Sequence, residues 1–125
     1  THGLKFPWSN KVLEKRANLA GKADGFEFMA PVGSFPMGRS VYGVYDMSGN
    51  VSEWVLDLYD QFYYQTAPIM NPTGPEKGKN RVYRGGSWDS RSVDIRTSKR
   101  FAATEGRKDA VLGFRCGLSK ADLEE

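Results

Sequence analysis

Apolar residues fall in short clusters along this chain, each broken within a few positions by glycine, proline or a polar pair. Such punctuation predicts short strands joined by turns rather than a helical bundle. Residues 1–10 (THGLKFPWSN) are turn-like, with Phe6 and Trp8 on either side of Pro7. Residues 11–19 have room for one or two helical turns before Gly21 and the Asp24-Gly25 pair stop them. Residues 26–36 hold two prolines and four aromatic or Met side chains, which suits an extended segment laid along a core. In the stretch 41–58 (VYGVYDMSGNVSEWVLDL), Gly49-Asn50 marks a turn, and Val51, Trp54, Val55 and Leu56 read as a buried strand. A helix over 51–60 competes, because periodicity cannot separate the two in so short a run. Residues 59–80 are polar and turn-rich and form a long surface excursion. Residues 81–88 predict a strand ending at Gly85-Gly86, residues 95–103 another, and Gly113–Ser119 a short last one. Residues 104–111 read as an exposed loop and the ADLEE tail as frayed.

Composition narrows the picture to one domain over residues 1–125. Apolar residues make up 39% of the chain, enough for a real core. Seven Phe, six Tyr and three Trp supply large buried areas, while fourteen Gly and six Pro fit a fold rich in turns. The net charge of +3 is too mild to imply nucleic acid. Between Arg81 and Arg115, nine basic residues face four acidic ones, which would attract an anionic ligand or be absorbed in local pairs. Cys116 is the single cysteine, so no disulfide forms within the chain. No apolar run approaches the length of a membrane span and no signal peptide is visible. Beginning at Thr1 rather than Met, the chain reads as a fragment or a processed product.

Four segments carry a resemblance. They are Phe6-Pro-Trp-Ser-Asn10, Gly43-Val-Tyr-Asp-Met-Ser-Gly-Asn-Val-Ser-Glu-Trp54, Arg81-Val-Tyr-Arg-Gly-Gly-Ser-Trp88 and Gly113-Phe-Arg-Cys116. In order and spacing they resemble the formylglycine-generating-enzyme (sulfatase-modifying-factor) family, of whose domain this chain matches the C-terminal portion. The resemblance implies an irregular α+β, C-type-lectin-like fold with short antiparallel strands and much loop. It also implies calcium. In a first set, the side chains of Asn18 and Asp24 would join the carbonyls of Leu19 and Phe26. In a second, the carboxylates of Asp46 and Glu53 would join the carbonyls of Gly49 and Val51. Calcium takes six to eight oxygens, which such turns can aim into one small volume. On the residues alone, Asp46 reads rather as a turn residue bonding its own backbone and Glu53 as the ion-pair partner of a nearby Arg.

Catalytic members of that family hold copper through two cysteines after the Gly-Gly-Ser segment. Here the matching positions are Ser90 and Ile95. A hydroxyl is hard and weakly acidic, and an isoleucine carries no donor, so neither replaces a thiolate. Iron-dependent sulfoxide synthases with the same module hold their metal through histidines on a separate domain, and this chain has only His2. The expected function is therefore a non-catalytic, calcium-stabilised binding or scaffolding module for a protein, peptide or small polar ligand. Ser87, Trp88, Asp89, Ser90, Arg91, Asp94 and Arg96 would form its binding face. The alternatives are a fragment of a catalytic member and a displayed variable ligand-binding domain of C-type-lectin type. Cys116 would be structural. Without an N-terminal half, exposed apolar surface would favour a homo-oligomer. A periplasmic or extracellular setting is favoured over a cytoplasmic one.

Overall fold

The computed structural model describes residues 3–118. His2, the Ser119 end of the last predicted strand and the tail lie outside them. One mixed sheet organises the chain: β1 (Ser52–Leu58), β2 (Arg81–Arg84), β3 (Phe101–Ala103) and β4 (Leu112–Gly113). Their spatial order is β3-β2-β1-β4; β1–β2 and β2–β3 are antiparallel, and β4 runs parallel to β1. Between the pairs Trp54↔Tyr83 and Leu58↔Arg81, four steps along β1 match two along β2, so β1 bulges there. Among the described residues, helix is limited to the 3-10 turn Pro36–Gly38 and the single α-turn Tyr63–Thr66, α1. The architecture is an irregular α+β one.

Several sequence expectations change. Residues 11–19 contain no helix, only turns, and the competing helix at 51–60 yields to β1. Backbone bonds from Ala20 N–H to the Ser90 carbonyl and from Asn50 N–H to the Asn18 carbonyl hold 11–20 open. The strand predicted over 95–103 contracts to Phe101–Ala103. Tight turns closed by Asp94 N–H to Arg91 O and Lys99 N–H to Arg96 O take up what precedes it. The excursion 59–80 also contains α1, which tertiary contact holds: the Arg100 guanidinium lies 4.6 Å from the Tyr64 ring centre and 5.2 Å from that of Tyr59.

The two faces of the sheet differ as strand periodicity requires. Val82, 0% exposed, faces inward. On the other face Trp54, Tyr83 and Phe101 are direct cross-strand partners. Trp54 meets Tyr83 edge-on at 5.7 Å, and Tyr83 stacks on Phe101 at 5.2 Å. Arg107 covers the Tyr83 ring and donates to its hydroxyl at 2.7 Å. Its hydrogen bond to Asp109 is the main reason that carboxyl lies below its ordinary range. A second core lies beneath the loops, where Phe6, Ala17 and Ile95 pack together with Trp8 and Leu19.

Buried polar groups join the sheet to this loop core. Asn50 adopts φ +65° and forms hydrogen bonds with both its backbone and its side chain. Its Oδ1 accepts from Ala30 N–H and its Nδ2 donates to the Ala30 carbonyl, each at 3.1 Å. Its own N–H reaches the Asn18 carbonyl at 3.0 Å, and its carbonyl accepts from Trp88 N–H at 2.8 Å. The preceding Gly49 has φ +81°, and an added Cβ would stand 2.4 Å from the Asn18 carbonyl oxygen. Both positions are thus fixed by backbone geometry and close contact. Asn50→Ala would leave both Ala30 backbone groups unpaired and is expected to lower unfolding free energy by about 2–4 kcal/mol. In the same urea titrations Leu56→Ala, at a position 85% exposed, should change it by no more than about 0.5 kcal/mol.

Candidate functional site

The segment after β2 is shaped by Gly85 and Gly86, both at positive φ. A Cβ on Gly86 would stand 2.7 Å from Ile95 Cγ2 and 3.2 Å from Ser90 Oγ, so the chain folds back on itself here. The fold-back brings Ser90 and Ile95 to the same glycine. Ser90 Oγ accepts from Ser87 N–H at 2.9 Å and lies 3.3 Å from Ser87 Oγ, closing a turn. Ile95 is 1% exposed and belongs to the loop core; Ser48 Oγ donates to its carbonyl at 2.8 Å.

The seven residues expected to bind a ligand share this segment but differ in access. Ser87 is buried and bonded within the turn. Trp88 is half-buried, donating Nε1–H to the Ala110 carbonyl and meeting Phe28 edge-on at 5.3 Å. Asp89 and Arg91 are exposed. Asp94 stands 3.8 Å from Arg91 and 3.7 Å from Lys99, long contacts that leave it only loosely paired. Arg96 is half-buried and bonds the Val93 carbonyl through Nε.

The first calcium set converges around Asp24. Its Oδ2 accepts from Leu19 N–H at 2.7 Å and from Asn18 Nδ2 at 3.2 Å, and its Oδ1 accepts from Phe26 N–H at 2.9 Å. Leu19 and Phe26 therefore meet the carboxylate through their amides. Asn18 is 1% exposed, and its Oδ1 has no hydrogen-bond partner. A buried acceptor left unmet costs about 1–3 kcal/mol, and a hard cation would satisfy it. That single unmet oxygen is the feature here that suits a hard cation, while both Asp24 oxygens already accept from N–H groups.

The second set is differently engaged. Asp46 Oδ2 accepts from Gly33 N–H at 2.8 Å. Glu53 holds the Arg115 guanidinium in a two-pronged pair, with Nε at 2.6 Å and Nη2 at 2.5 Å. Arg115 also donates to the carbonyls of Tyr45 and Asp46. Its pKa is raised further above the ordinary arginine value, chiefly by the hydrogen bonds to Glu53 and against the effect of burial. Asp46, Val51, Glu53 and Arg115 line one hollow of about 440 Å³. A cation there would compete with the guanidinium for Glu53. Among the described residues, no three His, Cys, Asp or Glu side chains are grouped to hold a metal. Any calcium must therefore draw on amide and carbonyl oxygens.

Two features lie beyond the sequence pattern. The arginine that pairs with Glu53 is Arg115, 62 positions away. The parallel pairing of Glu53 with Gly113 delivers it to Glu53, and no local pattern signals that pairing. A cavity of about 410 Å³ also opens between Phe6-Pro7 and the 40–47 turn, reaching Arg84 and Arg96. Cys116 is exposed. Among the described residues no helix is long and apolar enough to cross a membrane.

Comparisons with known proteins agree with this geometry. The model of the sulfatase-modifying factor enzyme 1-like domain matches residues 1–120. The chain is 35% identical over 116 residues to the serine/threonine-protein kinase Pkn1 of Chlamydia trachomatis, covering 91% of this chain and 18% of the kinase. It is 37% identical over 125 residues to mouse formylglycine-generating enzyme, covering 89% of this chain and 33% of the enzyme. To the mouse inactive C-alpha-formylglycine-generating enzyme 2 it is 35% identical over 136 residues, covering 98% of this chain and 39% of that protein. Similarity alone therefore does not separate active from inactive relatives. The structure of PvdO from Pseudomonas aeruginosa superposes with a TM-score of 0.73 at 34% identity, covering 88% of this chain and 42% of that one. The chain thus spans well under half the length of each of these relatives. With a family model matched over nearly its whole length and a fold shared with PvdO, the chain belongs to the sulfatase-modifying factor enzyme 1-like, formylglycine-generating-enzyme-type domain family.

Proposed function

We propose that this chain is a non-oxidising recognition module of its family, stabilised by calcium at the Asn18–Asp24 set. One observation carries the first half of this reading. At the two positions where the resemblance implies copper-binding thiolates, Ser90 closes a turn and Ile95 fills the core. Their side chains offer no soft ligand to Cu(I). The unmet Asn18 Oδ1 supports the second half. Calcium would be held there by Asn18 and Asp24, with the backbone carbonyls of Leu19 and Phe26 completing the set. It would tie the 18–26 loop to the node at Asn50, adding folding free energy in a fold with little regular structure.

Recognition would use the rim of the Ser87–Arg96 segment: the exposed Asp89 and Arg91 with the half-buried Trp88, Asp94 and Arg96. These side chains offer both charges and an aromatic face on a loop whose base is fixed by buried contacts, as suits a protein, peptide or small polar partner. The matching stretch in the Pkn1 kinase, a small part of that chain, fits a module carried beside another activity.

Thermal melts in calcium and in excess chelator check the metal. Calcium at a hundred times its dissociation constant should stabilise the chain by about 2.7 kcal/mol, seen as a melt several degrees higher, and Asp24→Asn should remove that difference. Identical wild-type melts in both conditions would refute the calcium reading. Glu53→Gln should cost about 1–3 kcal/mol through the loss of its charged bonds to Arg115, equally in calcium and in chelator. A loss seen in calcium alone would instead assign Glu53 to a metal.

A further inference from the structure

Arg84 and Arg96 are both half-buried, and both line the cavity beside Phe6-Pro7. The N–H groups of Arg84 donate to the Thr97 and Lys99 carbonyls and to Tyr64 Oη, all neutral acceptors. Arg96 donates only Nε–H, to the Val93 carbonyl, leaving its outer Nη fork without a bonded partner among the described residues. Neither guanidinium takes part in any of the salt bridges among those residues. Among the described residues, no carboxylate lines the cavity. Two cations partly removed from water and without a counter-ion among the described residues leave the site electropositive.

The rest of the lining decides what kind of anion fits. Pro7, Val41, Val44 and Met47 present apolar walls, and the last three are markedly exposed. Three hydroxyl side chains, Ser40, Tyr42 and Thr97, line the cavity, and two of them are used in fixed local bonds. Ser40 Oγ accepts from the amides of Tyr42 and Val44, and Thr97 Oγ1 donates to the Leu4 carbonyl. A phosphate or sugar, needing many donors and acceptors, would find few here. A single carboxylate on the Arg96 fork, with an alkyl chain along the walls, uses what the cavity offers. Its volume of about 410 Å³ accommodates a medium-length chain.

We propose that this cavity binds an amphipathic monocarboxylate of fatty-acid type, with its head on Arg96 and Arg84 and its tail between Pro7 and the 41–47 turn. The proposal is independent of calcium and shares only Arg96 with the recognition rim. The test is a titration of the full chain below the aggregation limit of each probe, using decanoate, decanol and acetate. It is followed by amide NMR shifts and calorimetry, in calcium and again in chelator. Decanoate should saturate and shift residues 41–47 and 96–97, decanol should bind at least tenfold more weakly, and acetate should not saturate. Arg96→Gln should weaken decanoate at least tenfold while leaving decanol unchanged, which also shows that the cavity is intact. Met47→Glu, at an exposed position, should abolish decanoate binding by placing a carboxylate on the wall. Equal affinity for decanoate and decanol, no decanoate saturation, or an Arg96→Gln variant with unchanged decanoate affinity would each overturn the assignment. Retention of decanoate binding when chelator leaves the melt unchanged would refute the calcium reading alone.

Discussion

Asn50 is the point through which most of the fold is connected. Its side-chain amide pairs with both backbone groups of Ala30, as a neighbouring strand would, while its own backbone reaches Asn18 and Trp88. Residue 50 thereby holds the 18–20 loop, the extended 26–36 segment and the start of the post-β2 segment around the entrance to β1. The arrangement needs a left-handed backbone at residue 50 and no side chain at residue 49, since the Asn18 carbonyl occupies the space a Cβ would take. With only short strands, the protein relies on this buried, fully paired polar group for what longer secondary structure supplies elsewhere.

What lies around that node explains why the segment from Ser87 to Arg96 has two characters. Its inner half is short of room: Gly86 passes against Ile95 and Ser90, so side chains there pack or close turns. Its outer half carries charges only loosely paired, on a loop whose base cannot shift without disturbing Asn50 and the loop core. A rigid base under an adaptable polar rim is the physical requirement for recognition on a fold with little regular structure.

Charge is distributed with comparable economy. The Arg115–Glu53 pair is anchored on both sides, the guanidinium also reaching two carbonyls. Arg107 and Arg81 have carboxylate partners of their own. Arg84 and Arg96 depart from that pattern, bonding neutral acceptors beside a hollow with apolar walls. The basic surplus between residues 81 and 115 is thus partly absorbed in local pairs and partly concentrated in one place.

The sequence by itself determined the fold class, the family and the turn at Gly49-Asn50. It also marked a strand over 81–88, of which Arg81–Arg84 forms β2, and left strand and helix open at 51–60. The family and fold rest on the resemblance of four ordered motifs, and the turn and strand on local chemistry: which residues tolerate left-handed backbone and which alternate across a strand. At residues 11–19 distant backbone groups hold the chain open against local helix propensity, and the strand expected over 95–103 gives way to tight local turns before Phe101. Tertiary structure alone decided that Glu53 faces Arg115, 62 positions away, that Asn18 Oδ1 is buried without a partner, and that Arg84 and Arg96 share one cavity. Each of these depends on the register in which remote segments meet, and that register is fixed by the parallel β4–β1 pairing and the Asn50 bonds rather than by any pattern along the chain.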